Sequence, residues 1–183
     1  MGYRFGYATF LQPASPAYSG PPNTGPYGEA VTLDHTFKDV ISANADTPYS
    51  FGLVDLRSGP VVLTVPEVMG RYYVMQLEDL LGYNEKFIGS RSTGTSAGSH
   101  LFIGPTWDGE IPDGFASTHR FETDLVFIIG RTQLLGVDDQ QRTGHLVHFA
   151  DALQVAPDLP HLPVVHGDGL LAVFLKPAVG LNG

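Results

Sequence analysis

Three of the seven arginines lie inside short motifs that could bind an anion: Arg71, Arg91 and Arg131. A guanidinium holds a carboxylate or sulfate through two parallel N–H groups, and the loop around Thr93 could add backbone N–H groups. The alternative is structural, with each arginine paired to an aspartate so that strands and turns are held together. The aspartates considered for such pairs are Asp46, Asp55 and Asp79.

A run of turn-forming residues between Asn44 and Tyr49 is the second candidate site. The side chains of Asn44, Asp46 and Thr47 can bond to backbone two residues further on, and Pro48 fixes φ, so the run predicts a tight turn. Tyr49 would then be a buried anchor. The alternative is that the Asn44 amide and the Asp46 carboxylate line a ligand or cation pocket, although two oxygen ligands are too few for calcium. The sequence favours the turn.

Histidines suggest two further kinds of chemistry, and neither pattern is complete. His100 follows the serine-containing loop 90–99, but no Gly-x-Ser-x-Gly motif accompanies it. His145 and His148 are three residues apart, but the His-Glu-x-x-His pattern of zinc proteases is absent. We therefore predict neither a metal site nor a cofactor.

The composition restricts the classes of molecule that the chain is expected to bind. Charged residues make up 16% of the chain, against about 25% in an average soluble domain, and only three residues are lysines. Lysine is depleted from buried interfaces, so this scarcity favours contact with copies of the chain or with a companion domain. A net charge of −9 disfavours nucleic acid. The absence of cysteine excludes disulfides and leaves the compartment open.

No targeting or membrane segment is evident. The first residues lack a basic stretch followed by an apolar core of about 7–15 residues, and no apolar run approaches the roughly 18 residues of a membrane span. We expect a soluble chain without a signal peptide in the given sequence, and we leave export open.

At 183 residues the chain has the size of one domain. Residues 1–37 predict an extended arm rich in proline, glycine and aromatic residues, and residues 38–183 predict the domain itself. Short alternating apolar stretches predict strands near 38–43, 49–56, 60–66, 71–80, 84–89, 100–104, 116–121, 124–131 and 169–176. The apolar run 125–129 predicts a central strand. An i, i+3, i+4, i+7 pattern predicts one longer C-terminal helix near 138–153.

Several motifs along residues 39–139 together resemble the bacterial family called domain of unknown function 1254. They are Asn44-x-Asp46-Thr47-x-Tyr49, Asp55-Leu56, Pro60-Val61-Val62-Leu63, Arg71-Tyr72-Tyr73, Gly89-x-Arg91-x-Thr93-Gly94, Gly104-Pro105-x-Trp107-x-Gly109 and Gly130-Arg131. The resemblance implies a mainly β chain with an immunoglobulin-like β-sandwich, in agreement with the strand pattern. Members usually carry a helical segment upstream and a companion, domain of unknown function 1214, downstream. We recognise neither in this sequence.

These observations lead to two functional hypotheses. The first is a noncatalytic β-sandwich that self-assembles or docks a partner through its charge-poor surface and its arm. The second is an enzyme of the hydrolase or lyase class that acts on a small, partly apolar or carboxylated substrate. Its pocket would be formed by Asp46, Tyr49, Arg71 and Arg91.

Overall fold

The structure is a computed structural model that describes residues 13–14, 21–23, 47–136, 139 and 153–155. These residues form a mainly β protein with two sheets. Its strands are β1 (Tyr49–Asp55), β2 (Val61–Val65), β3 (Tyr73–Asp79), β4 (Asn84–Gly89), β5 (Gly98–Ile103), β6 (Ser117–Arg120), β7 (Leu125–Thr132) and β8 (Leu153–Val155).

Seven of these strands confirm the predicted pattern, with bounds that differ by a few residues. The predicted strands near 38–43 and 169–176, the arm apart from five of its residues, and most of the predicted helix near 138–153 lie outside the described residues. Leu153, which the helical pattern included, is the first residue of β8 and pairs with Leu63 of β2. A three-residue strand is too short to show a period that distinguishes it from a helix end.

The first sheet has the strand order β1-β7-β3-β4, and all its neighbours are antiparallel. This order confirms that the apolar run 125–129 lies in a central strand. The second sheet has the order β6-β5-β2-β8. In this sheet β5 and β6 are parallel, while β2 is antiparallel to both its neighbours.

Both sheets contribute to one hydrophobic core. Because successive side chains of a strand point to opposite faces, every second residue of β1, β3 and β7 is buried. Val54, Met75 and Ile128 from the first sheet join Leu63 and Phe102 from the second in the same cluster. Each such side chain stabilises the fold by roughly 1.5–3 kcal/mol relative to an exposed one.

A loop between β5 and β6 covers the outer face of the second sheet. Trp107 and Phe115 pack there, and the Arg120 guanidinium holds the loop by donating to the carbonyl oxygens of Gly104 and Trp107, at 3.0 and 2.7 Å. The remaining members of this cluster are Val62, Leu101 and Ile103. The single tryptophan therefore has a packing role, as its type suggests.

The free edge of β1 is bonded to Asn23, a residue of the sequence-predicted arm. Its side-chain amide donates to the Asp55 carbonyl at 2.9 Å and accepts from the Asp55 N–H at 2.8 Å. Its own N–H donates to the Leu53 carbonyl at 2.9 Å. Asn23 thus replaces a neighbouring strand at this point, since edge strands otherwise present unpaired backbone groups.

Candidate functional site

The sequence-predicted site residues that the structure describes all lie at one end of the first sheet. Tyr49 at the start of β1 is opposite Arg131 near the end of β7. Arg71 precedes β3 by two residues, and Arg91 and Thr93 follow the end of β4. Asn44 and Asp46 lie outside the described residues.

Tyr49 and Arg131 are in direct contact on the outer face of the sheet. The guanidinium carbon of Arg131 lies 5.2 Å from the centre of the Tyr49 ring, within the range of a cation–π interaction. Arg131 Nη1 also donates to Gln76 Oε1 at 2.7 Å. The Tyr49 ring stacks on Phe51 with centroids 5.6 Å apart, so both residues belong to a packed surface row.

Arg71 forms a two-point ion pair with Asp139. Its Nη1 and Nη2 atoms lie 2.7 and 3.0 Å from the two carboxylate oxygens, and Nη1 also donates to the Gln133 carbonyl at 3.2 Å. The two side chains are 10% and 12% exposed. The pair ties the segment after β7 to the start of β3, and Asp139 is not one of the three aspartates that the sequence suggested as partners.

Two of the aspartates considered as arginine partners are engaged locally. Asp55 binds Arg57, two residues away, at 2.6 Å, and the hydrogen bond from that guanidinium holds the pKa of Asp55 below its usual value. Asp79 Oδ1 accepts the N–H groups of Leu81 and Tyr83 at 2.9 and 2.8 Å. Asp79 therefore closes the turn between β3 and β4.

The loop after β4 folds around the carbonyl group of Gly89. This oxygen accepts the N–H groups of Ser92, Thr93 and Gly94 at 3.0, 3.0 and 3.1 Å, and Thr93 Oγ1 accepts the N–H of Gly89 at 3.0 Å. An anion would compete with Gly89 for these groups. Arg91 lies over the Tyr72 ring, 5.5 Å from its centre.

A second polar cluster, formed by His100, Ser117 and His119, lies between the sheets. The Ser117 hydroxyl is 2.7 Å from His100 Nδ1 and 2.7 Å from His119 Nε2. His100 is 2% exposed, and its β5 position is paired with core residue Leu63. His119 lies beside the Phe102 ring, with centroids 6.0 Å apart.

Both histidines are poor proton acceptors. Burial, assisted by His119, lowers the pKa of His100 to about 4. Burial also lowers the pKa of His119, with a further contribution from the charge of Lys86. At pH 7 both rings are therefore neutral. One ring nitrogen accepts a hydrogen bond from the Ser117 hydroxyl, and the other ring donates an N–H to the hydroxyl oxygen.

The sequence suggested serines of loop 90–99 as neighbours of His100, but the structure gives it a different serine. Loop 90–99 adjoins it along the chain, yet its hydroxyl partner Ser117 comes from β6, because parallel pairing sets His100 opposite Ser117 and Phe102 opposite His119. Ser117 and His119, two residues apart in a predicted strand, were the signal in the sequence that could have identified this cluster.

A serine between two imidazoles has the composition of a nucleophile and its base. A general base works best with a pKa near the operating pH, and that of His100 is far below it.

Metal ligands do not gather in the described part of the chain. Within it, no group of three or more histidine, aspartate and glutamate side chains could hold an ion. His145 and His148 lie outside it. The same residues contain no helix long and apolar enough to cross a membrane.

Comparison with known proteins places this chain in a family. The family described as "Protein of unknown function (DUF1254)" matches residues 27–157. The chain belongs to this family. The match confirms the resemblance read from the motifs, and it does not extend to the companion domain of unknown function 1214.

One solved structure similar to this DUF1254 chain is the VPA0106 protein from Vibrio parahaemolyticus, a structural genomics target. The two share 21% identity, with a TM-score of 0.62 over 96% of this chain. The chain spans 39% of that protein's length. At this identity the likeness concerns the fold alone, and it covers only part of the longer Vibrio protein. No curated protein matches the sequence.

Two glycines of the DUF1254 motifs are explained by packing. A Cβ at Gly130 would overlap Ser50 Oγ and lie 2.9 Å from Met75 Sδ. Gly89 has a φ of 146°, which side chains rarely allow, and a Cβ there would overlap the Tyr73 carbonyl oxygen. These motif positions have a clear structural requirement.

Proposed function

We propose that this protein is a noncatalytic domain that assembles with a second copy of itself through the β3–β4 hairpin, residues 73–89. The observation that carries the proposal is the exposure of three large apolar side chains on this hairpin. Leu81, Tyr83 and Phe87 are 72%, 65% and 45% exposed. Apolar patches of a few hundred Å² on a soluble protein commonly mark interaction sites.

The area of this apolar patch sets the expected strength of self-association. Large side chains each bury on the order of 150–250 Å², so the exposed parts of these three offer roughly 300–400 Å² per copy. A contact between two such patches would bury less than the roughly 1,200 Å² of a standard interface. We therefore expect reversible association, with a dissociation constant in the micromolar range or weaker.

Charge and strand geometry define how the copies meet. Copies that each carry a net charge of −9 repel one another, so salt should strengthen an apolar contact by screening that repulsion. The β4 edge contains a bulge beside β3, and Lys86 lies on its inner face. Both features discourage strand-to-strand addition, so side-chain contact is the expected mode.

The fold proposal is an immunoglobulin-like sandwich. Two four-stranded sheets that share one core support it, together with the family resemblance. The noncatalytic proposal is supported by the hydrogen bonds of Arg71, Arg131 and Thr93, which join strands and turns to one another.

A cross-linking experiment tests the proposed contact directly, because the chain contains no cysteine. Asn84→Cys places one thiol beside Tyr83, and Asp113→Cys places one in an exposed loop far along the chain. A short bis-maleimide linker should join Asn84→Cys chains at least about tenfold faster at equal concentration, since even a reversible contact raises the local concentration of the two thiols. Equal rates for the two variants would contradict the proposal.

The alternative, a hydrolase or lyase, is favoured by one observation, the Ser117 hydroxyl between two imidazoles. Its test is hydrolysis of p-nitrophenyl acetate by the intact chain and by Ser117→Ala. A rate that exceeds buffer and is lost in the variant would support the enzyme, while equal rates in both proteins would remove it.

A further inference from the structure

Arg131 is a half-buried arginine on the outer face of the first sheet. Its direct neighbours on this face are Tyr49 across β1 and Val74 across β3, and both are half-buried as well. Ile129 precedes Arg131 by two residues in β7, so its side chain points to the same face. The guanidinium therefore stands among one aromatic and two aliphatic side chains.

This guanidinium has no carboxylate partner within the described residues, although the chain carries a net charge of −9. The other described arginines have different surroundings. Arg57 and Arg71 form ion pairs with aspartates, Arg120 is bonded to loop carbonyls, and Arg91 is exposed. Charges that are partly removed from water are usually paired, so the position of Arg131 suits an anionic partner.

Two contacts hold the guanidinium of Arg131 in place. Its central carbon lies 5.2 Å from the centre of the Tyr49 ring, and Nη1 donates to Gln76 Oε1 at 2.7 Å. A guanidinium has five N–H groups, so this arrangement leaves donors for a ligand. Among the described residues, Asp79 Oδ2 is the side-chain polar atom that is buried without a hydrogen-bond partner. The remaining N–H groups of Arg131 therefore reach solvent.

We propose that Arg131 binds the carboxylate of a small organic acid whose apolar substituent packs on Val74 and Ile129. Two parallel N–H groups of a guanidinium match the two oxygens of a carboxylate. Because Tyr49 and Gln76 already fix the guanidinium, binding costs it little conformational freedom. Few polar groups within an apolar surround are the usual composition of a small-molecule site.

This inference is independent of the proposed assembly. The exposed apolar side chains that carry the assembly are Leu81, Tyr83 and Phe87, and none of them contributes to the site around Arg131.

The test is an NMR titration at pH 6.0 with sodium benzoate, with sodium chloride at equal ionic strength as the reference. The Arg131 Nε–H signal and the backbone amide signals of residues 74, 129 and 131 should shift saturably with benzoate. Sodium acetate should bind at least about fivefold more weakly, because it lacks the apolar surface that the benzoate ring buries.

Arg131→Gln should weaken benzoate binding at least about tenfold, because hydrogen bonds to charged groups are the strong ones. The backbone amide signals report on binding in this variant. Arg57→Gln is the matched control, since it removes the same charge from an exposed side chain in the turn after β1. It should bind benzoate as the native chain does.

Three results would overturn the proposal: no response to benzoate beyond the chloride reference, equal affinities for benzoate and acetate, or equal affinities in Arg131→Gln and Arg57→Gln. If Arg131→Gln does not fold, Arg131→Lys serves as the second variant. It keeps the charge and loses the two parallel N–H groups, so its benzoate affinity should fall at least about threefold. An unchanged affinity in folded Arg131→Lys would contradict the two-point contact.

Discussion

His100 and Ser117 are neighbours across the only parallel strand pair of the described residues, and their side chains lie 2.7 Å apart. The contact joins the short edge strand β6 to a core position of β5. It also satisfies one nitrogen of an imidazole that is 2% exposed. A buried ring of this kind makes the fold sensitive to acid.

Burial of His100 should make the protein less stable in mild acid. The pKa of His100 is about 4 in the folded chain and about 6.5 when unfolded, so the unfolded state binds more protons between these values. The contribution of His100 to the free energy of unfolding is then fully present above pH 6.5 and is lost as the pH falls towards 4. Urea denaturation at pH 7.5 and 4.5 should differ by about 2 kcal/mol in the free energy of unfolding.

His100→Gln is the control for this prediction, because it removes the titrating group. Most of the difference between the two pH values should disappear in the variant. If native chain and variant lose the same stability, His100 is not the group responsible.

The Asn23 contact should hold the arm to β1. Asn23→Gly removes both side-chain hydrogen bonds to Asp55 and should cost about 1–3 kcal/mol of unfolding free energy. Asn23→Ala should cost about 1 kcal/mol more, because φ at this position is 59°, which alanine disfavours. Hydrogen exchange of the Asp55 amide should accelerate in both variants; an unchanged rate would refute the contact.

The Arg71–Asp139 pair should be energetically coupled. It has two hydrogen bonds and little solvent exposure, unlike the exposed pairs that contribute little. A double-mutant cycle with Arg71→Gln and Asp139→Asn should give a coupling energy of about 1–3 kcal/mol by chemical denaturation. Additive effects of the two substitutions would mean that this pair does not join β3 to the segment after β7.

Gly130 should not tolerate a side chain. Gly130→Ala places a methyl group against Ser50 and Met75, and crowding of this kind typically costs about 1–3 kcal/mol. Thermal denaturation of Gly130→Ala alone and combined with Ser50→Gly tests the cause. The second substitution should restore part of the lost stability, and a failure to do so would place the strain elsewhere.

The strands themselves were predictable because alternation is a local property of the sequence. Residues such as Phe51, Leu63 and Val126 belong to short apolar stretches, and each lies in a strand as predicted. Leu153 shows the limit, since its position fits a helical face as well as a short strand. The family was predictable for the same reason, because motif order is written along the chain.

The partners of the polar residues were less predictable, because strand pairing decides them. Ser117 reaches His100 only through the β5–β6 register, and Arg71 reaches Asp139, 68 positions away, only because β3 and β7 are adjacent. Asp55, in contrast, binds its near neighbour Arg57. Spacing alone does not distinguish such local pairs from distant ones.

Sedimentation velocity over a concentration series tests the central claim, assembly through the β3–β4 hairpin. The native chain should show a reversible increase in sedimentation coefficient at micromolar to higher concentrations, and the increase should be larger in salt. A variant with Leu81, Tyr83 and Phe87 changed to serine should remain monomeric. A control variant with the exposed Met69, Ile111 and Leu135 changed to serine should associate like the native chain. A monomeric native chain at all concentrations, or equal association in both variants, would contradict the account.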